Sequence, residues 1–357
     1  MIRVQNVYYM LALIYKKLNE KEIKKYDQEE FENLYDLFAE LIINLVQKQI
    51  KKGLNHDYQS FNDELALVKG KINLAETIKR NSKVRHQVIC NYEEYTLNSY
   101  LNKIIKTTIQ FLLNSKKISD IQRKQRLKKI KTYFNDVEEI KTPKRIEWKA
   151  IKFNKNNDSY RFLIKICELI LKDLYVGPDE KELFLMNYKE DRLMANLYES
   201  FIRAYYERKA KVEKKDLFWQ MEIISGKKEN IPKMQTDISF LDHNNQINLI
   251  IDAKFYCKIY QEFYEKEKFN SNNLYQMYAY LKKSGNEQGE GLILYAKTEG
   301  KSIGWNEFIV DKNKLVITDL DLSGNFTLIE SKLNDILDWH LKKIPSLEMN
   351  KKYNKED

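Results

Sequence analysis

Apolar residues recur at spacings of three and four through much of the first half of the chain. Leu34, Leu37, Phe38, Leu41, Ile42 and Leu45 fall on one face of a helix, and Leu101, Ile104, Ile105, Thr108, Ile109 and Leu112 repeat the pattern in a second. Between them "LALVKGKINLAE", Leu65 to Glu76, alternates around Gly70, which suits a strand or a tight bend rather than a continued helix. A third helix is predicted over Tyr160 to Leu174 and is stopped by Gly177 and Pro178 in "YVGPDE". The early Tyr8, Tyr9 and Met10 read as core.

Beyond a boundary placed near residues 176–188 the pattern changes. A helix from about Asp191 to Arg208 carries Leu193, Leu197 and Phe201 beside Met194, Tyr198, Ile202 and Tyr205 on adjoining apolar rows. Strand-like segments follow. Lys233 to Leu241 and Gln246 to Tyr256 flank "DHNN" at 242–245, a turn-forming tetrapeptide, and so predict a β-hairpin. A helix at Asn273 to Lys283, strands at Gly291 to Ala296 and Lys314 to Ile317, and a last helix at Leu328 to Leu341 complete the order. The expectation is an α/β protein: a mainly helical N-terminal domain, residues 1–180, then a domain over 181–357 with a mixed sheet flanked by helices. A length of 357 residues fits two domains.

Composition narrows the function classes. Hydrophobic residues make up 43% and charged residues 32%, with 10 Gly and 4 Pro, which is a globular rather than a disordered composition. Apolar runs such as Ile104 to Leu113 are too short or too interrupted to span a bilayer, and Met1 to Met10 has no apolar stretch of secretory type. The expected location is the cytoplasm. Cys90, Cys167 and Cys257 are far apart and odd in number, with no CxxC pair, and His56, His86, His243 and His340 are equally scattered. Thiolate or imidazole cofactor chemistry is therefore disfavoured.

The net charge is +10, and residues 101–160 alone hold 16 Lys+Arg against 6 Asp+Glu, an excess equal to that of the whole chain. Lys116, Lys117, Arg123, Lys124, Arg126, Lys128, Lys129 and Lys131 form either a solvated helix face or a stripe facing phosphates.

Candidate chemistry lies in "TDISFLDHNNQINLIIDAKFY", residues 236–256. Side chains two apart share a face of a strand, so Asp252 and Lys254 point together while Ile251, Ala253 and Phe255 point the other way. Hairpin pairing can bring Asp237 level with Asp252, the register being open at this point. Two carboxylates would then meet beside one lysine. Hard divalent cations such as Mg²⁺ need about that minimum of protein oxygens, with water and substrate phosphate completing the shell, and such a centre suits phosphodiester hydrolysis. Asp252 follows the apolar run Leu249, Ile250, Ile251, which argues for a buried charge that needs a partner or a metal; a structural ion pair is the alternative.

These residues resemble the PD-(D/E)xK nuclease core, and Gln276 with Tyr280 in "NLYQMYAYL" resembles the Q-x-x-x-Y motif of its RecB-like branch. Glu199 in "LYESF" lies where such nucleases often carry a helical Glu. The likeness is wider still. "VQNVYYMLALIY" at 4–15, "VKGKINLAETIK" at 68–79, "LNSYLNKIIKTTI" at 97–109 and the series "TDI…IIDAKFY…NLYQ" resemble the McrC family, the nuclease subunits of modification-dependent restriction systems acting on 5-methylcytosine DNA.

That resemblance implies a PD-(D/E)xK endonuclease domain over 181–357, with Asp237 and Asp252 as metal ligands joined by Glu199. It implies Lys254 as catalytic lysine, Gln276 and Tyr280 as supporting residues, and Mg²⁺ or Mn²⁺ as the ion. It also implies double-stranded DNA as substrate, no membrane, and an N-terminal domain that binds a McrB-like AAA+ GTPase ring and stimulates it. The chain has no G-x-x-x-x-G-K-[ST] loop of its own, so GTP would be the partner's. Two rival functions are a non-cleaving adaptor that activates such a motor, and a stand-alone DNA-repair nuclease.

Overall fold

A computed structural model of the chain describes residues 2–15, 31–174, 182–217, 234–255, 260–263, 266–286, 288–298 and 300–341. The helix stop at Gly177 and Pro178, Cys257, and the outermost hairpin residues Lys233 and Tyr256 lie outside the described residues. The chain divides into two compact units, Phe31–Lys189 and Met1–Glu30 together with Glu190–Asp357. The sequence suggests one cut near 180, but the first helix, α1 (Val4–Ile14), belongs with the later unit. Its N-terminal end is tied there by backbone polar groups. Arg3 N donates to Leu322 O at 3.1 Å, and Asn6 Nδ2 donates to Leu322 O at 2.8 Å and Gly324 O at 2.9 Å. Tyr8 and Met10 are buried, and the Tyr9 ring stacks on Phe326 with centroids 4.5 Å apart.

Unit Phe31–Lys189 contains α2 (Leu34–Lys52), β1 (Asp57–Leu65), β2 (Lys71–Ile72), α3 (Leu74–Lys79), β3 (Val88–Thr96), α4 (Tyr100–Asn114), α5 (Ile121–Lys131) and α6 (Arg161–Leu169). The expected apolar faces of α2 and α4 are its core. Asn33 caps α2, its Oδ1 accepting from the Tyr35 and Asp36 amides at 2.8 and 3.1 Å. The α2 carboxylates Asp36 and Glu40 are buried and draw on the basic stretch. Arg126 meets Glu40 through two bonds of 2.7 and 2.9 Å, and Arg123 lies 3.4 Å from Glu40 and 3.9 Å from Asp36. Lys131 pairs with Glu139 at 3.4 Å and Lys117 sits over the Tyr35 ring. A phosphate-facing stripe would therefore rest on Lys116, Lys124, Lys128 and Lys129.

The three-stranded antiparallel sheet of this unit, in order β1-β3-β2, is absent from the sequence expectation. Its strand "DYQSFNDEL" is mostly polar with no fully buried residue, and "VICNYEEYT" buries only the adjacent Ile89 and Cys90, so no clean apolar alternation marks them. The bend around Gly70 is present. Gly70 has φ +68°, and a Cβ there would stand 2.5 Å from Asn91 O, so only glycine fits.

The second unit adds α7 (Glu182–Glu207), β4 (Val212–Glu213), β5 (Asp216–Leu217), β6 (Met234–Gln235), β7 (Ile238–Leu241), β8 (Ile247–Phe255), β9 (Tyr260–Phe263), β10 (Lys266–Phe269), α8 (Ser271–Lys283), β11 (Glu290–Lys297), β12 (Asn306–Val310), β13 (Asn313–Asp321) and α9 (Phe326–Leu341). Six strands form one mixed sheet in the order β12-β13-β11-β8-β7-β4, with β8, β11 and β13 parallel. Parallel strands covered on both faces need apolar residues at successive positions, which explains the unbroken runs in β8 and β11. On one face Ile250, Ile293, Tyr295 and Ile317 pack with Met277, Tyr280 and Leu281 of α8. On the other Phe255 meets Tyr198 of α7, whose hydroxyl donates to Leu294 O at 3.4 Å. Among the described residues no helix is long and apolar enough to cross a membrane.

The approach of α8 to β11 depends on Gly291, where an added Cβ would stand 2.8 Å from Met277 Sδ and 3.1 Å from Leu281 Cδ1. Gly291→Val should therefore lower stability by about 1–3 kcal/mol through overpacking, read as a reduced urea midpoint. A midpoint equal to the native one would mean that the helix can shift freely.

Candidate active site

The turn at 242–245 sets the site at the far end of its hairpin. Asp242 Oδ1 accepts from the Asn244 and Gln246 amides, each at 2.8 Å, and Asn245 takes φ +60°, the left-handed conformation that Asn tolerates. β7 and β8 then pair antiparallel, Ser239 opposite Ile250 and Ile238 opposite Ile251, with an irregularity only at Phe240/Leu241 next to the turn. One step further along this ladder Asp237 comes level with Asp252. The register left open by the sequence thus brings the two carboxylates together.

Asp252 is 0% exposed, and neither of its carboxylate oxygens accepts a well-aligned hydrogen bond. Its compensation is the ammonium of Lys254, two residues on and on the same face, with Nζ 3.0 Å from Oδ2. Asp237 Oδ2 accepts from the Ala253 amide at 3.2 Å. Lys254 Nζ also donates to Gln276 Oε1 at 2.9 Å, Gln276 Nε2 donates to the Tyr280 hydroxyl at 2.8 Å, and that hydroxyl donates to Gln235 O at 2.7 Å. The spacing of four on α8 puts both side chains on the face turned to β8. The chain of bonds therefore runs from Asp252 through Lys254, Gln276 and Tyr280 back to the backbone just before Asp237. Five of the six residues singled out in the sequence meet here, Glu199 being the exception.

Burial and mutual repulsion decide the charge state. Desolvation, then the Asp252 carboxylate and then Glu199, push the Asp237 carboxyl up to about 7, Lys254 opposing them. Asp252 is also raised, burial outweighing the pull of Lys254. The Tyr280 phenol is raised by burial.

Glu199 is close enough to weigh on both aspartates, but its carboxylate is held by Lys214 Nζ and by Arg203 Nη1, the latter at 3.2 Å. Among the described residues no group of three or more His, Cys, Asp or Glu side chains stands together as a metal cluster. The donor set is therefore the Asp237–Asp252 pair. A buried carboxylate with both oxygens lacking an aligned donor, beside a half-buried one, fits a hard divalent cation that brings its own water.

Sequence reasoning missed the residue that anchors this corner. Thr236, fully buried, accepts from the Lys215 amide through Oγ1 at 3.0 Å, while its own amide donates to Lys215 O at 3.0 Å and its hydroxyl pairs with Ser239 Oγ at 2.7 Å. The only signal for it was its place directly before Asp237, since a lone Thr in a strand is otherwise unremarkable.

With this geometry in hand, the whole chain can be placed among known proteins. Residues 4–296 match the family described as McrBC 5-methylcytosine restriction system component. The chain belongs to that family. It is similar to the type IV methyl-directed restriction enzyme EcoKMcrBC of Escherichia coli K12, 26% identical over 355 residues, covering 96% of this chain and 99% of the relative. It also resembles a chain in a refined half-complex from a tetradecameric assembly of Thermococcus gammatolerans McrB AAA+ hexamers with bound McrC. That likeness has a TM-score of 0.55 at 17% identity over 93% of this chain and 76% of the other, and it establishes a shared fold.

The raised carboxyl of Asp237 gives a signed prediction. Well below pH 4 the group is protonated in both folded and unfolded chains; between about 4 and 7 the unfolded chain is ionised while the folded one holds its proton. In the presence of a chelator, stability should fall as pH rises through that window, and Asp237→Asn should remove much of the fall. Urea denaturation at pH 5 and pH 8 measures it. An identical slope in the variant would place the buried charge cost elsewhere.

Proposed function

We propose that this chain is the Mg²⁺-dependent DNA endonuclease subunit of a modification-dependent, 5-methylcytosine restriction complex, acting on double-stranded DNA in the cytoplasm. In this reading it works with a McrB-like AAA+ GTPase ring and stimulates that partner's GTP hydrolysis. The observation that carries the nuclease part is the meeting of Asp237, Asp252 and Lys254 at one corner of the sheet, with both Asp252 oxygens lacking aligned donors. Family membership and the McrB-bound fold relative support the partner.

Asp237 and Asp252 would hold the cation, Mg²⁺ or Mn²⁺, which supplies polarisation of the scissile phosphate and a more acidic water. Lys254 has its ammonium fixed between Asp252 and Gln276, so it meets the attacking water or the charge building on the phosphorane without rearranging. Gln276 keeps Lys254 in that position, and Tyr280 ties Gln276 to the backbone that delivers Asp237.

In the complex reconstituted with its GTPase, Asp252→Ala and Lys254→Ala should each lower DNA cleavage by roughly 100-fold or more, and Gln276→Ala by about 10–100-fold. GTPase stimulation should survive Asp252→Ala. Cleavage at the native rate in the first two variants would rule out these roles, and a wild-type complex that stimulates GTP hydrolysis but never cuts with Mg²⁺ or Mn²⁺ would identify an adaptor instead.

A further inference from the structure

Lys214 is placed by the same corner that places Asp237. The paired bonds between Thr236 and Lys215 fix the segment after β4 against the residue before Asp237. From there Lys214 reaches Glu199 on α7, which Arg203 grips from one helical turn further along. Glu199 is thus a third carboxylate beside the aspartate pair, turned toward two cations. Both cations are partly exposed, Lys214 at 35% and Arg203 at 22% of their side chains, so a phosphate can reach them. Across from them, Asp252 has both oxygens buried without aligned donors. The corner holds one carboxylate too many for its cation site and two positive groups occupied in screening it.

We propose that Lys214, aided by Arg203, is a DNA-phosphate contact that holds Glu199 away from the Asp237–Asp252 pair until a phosphodiester takes its place. This rests on the nuclease reading and deepens it. When a backbone phosphate binds Lys214 and Arg203, Glu199 loses its partners and joins the two aspartates as a cation donor. DNA and cation then bind cooperatively, because each favours the state in which Glu199 has changed sides. Linkage makes the effect reciprocal: the factor by which DNA tightens the cation equals the factor by which the cation tightens DNA. Metal-dependent cutting would thereby be confined to engaged DNA.

The test uses the full chain, Ca²⁺ as a hard cation and a short DNA duplex, with affinity read by calorimetry. In the wild type, duplex should tighten Ca²⁺ by at least about fivefold, the lower end of typical coupling between sites. In Lys214→Met, Ca²⁺ should bind several-fold more tightly than in wild type without DNA, and duplex should add little. In Glu199→Gln the duplex-induced tightening should fall well below the wild-type factor. Wild-type Ca²⁺ binding that depends on Asp252, combined with native coupling in both variants, would overturn the inference and leave the nuclease reading intact. A wild type that binds no cation with or without duplex would overturn both.

Discussion

Two carboxylates and one ammonium group share a corner of the sheet from which most water is excluded. An ionised carboxylate taken out of water costs several kcal/mol even after relaxation, and a single lysine at 3.0 Å offsets only part of that for a pair. The residual cost appears as the raised carboxyls of Asp237 and Asp252. A fold selected for stability alone would fill these positions with apolar side chains like the neighbouring Ile250 and Ile251, which are completely buried. The surrounding architecture serves to keep the charges there. The β7–β8 ladder sets the aspartates level, α8 supplies Gln276 and Tyr280, and the Thr236–Lys215 pairing closes the side nearest Asp237.

The rigidity of that corner comes from its place in a parallel core. β8 lies between β7 and β11 and is covered by α7 on one face and α8 on the other, so its register cannot slip without carrying Ile250 and Ile251 out of their packed layers. Asp252 pairs in register with Ile293 and Lys254 with Tyr295, which ties the reactive face of β8 to the apolar layer under α8. The close approach of α8 at Gly291 then brings Gln276 within 2.9 Å of Lys254. Packing at one end of α8 and hydrogen bonding along its length are thus one constraint.

The same physics explains which parts could be read from residues alone. Helices α2, α4 and α8 bury one stripe each, and strands β8 and β11 bury both faces, so periodicity marked all of them. The hairpin was visible because "DHNN" has a local turn chemistry, but the ladder shifts by one residue between Leu241, opposite Ile247, and Phe240, opposite Leu249, and that shift is what sets Asp237 level with Asp252, so the meeting could be anticipated only as a possibility. β1 and β3 were invisible because β1 buries no residue fully and β3 buries only the neighbours Ile89 and Cys90, so neither strand alternates. The allegiance of α1 was invisible as well, since Arg3 and Asn6 find partners at Leu322 and Gly324, more than three hundred residues away in sequence, and no local pattern encodes such a contact. Thr236 failed for a related reason: its backbone amide and its hydroxyl both bond to Lys215, twenty-one residues away in sequence, and no local pattern encodes that pairing.

Charge is partitioned between the units by the same rule that governs the site. In the unit Phe31–Lys189 the excess of Lys and Arg could be a solvated face or a phosphate-facing stripe, and Arg123 and Arg126 are in fact drawn inward because Asp36 and Glu40 are buried on α2 and must be neutralised. Near the aspartate pair three carboxylates, Asp237, Asp252 and Glu199, stand with Lys254, Lys214 and Arg203, and the last two are side chains that a phosphate backbone would attract. In the proposed nuclease reading a polyanionic substrate would draw Lys214 and Arg203 away from Glu199 and leave the carboxylates in excess, so the attraction of the corner for a cation would rise as DNA binds, with Glu199 the carboxylate through which that coupling acts.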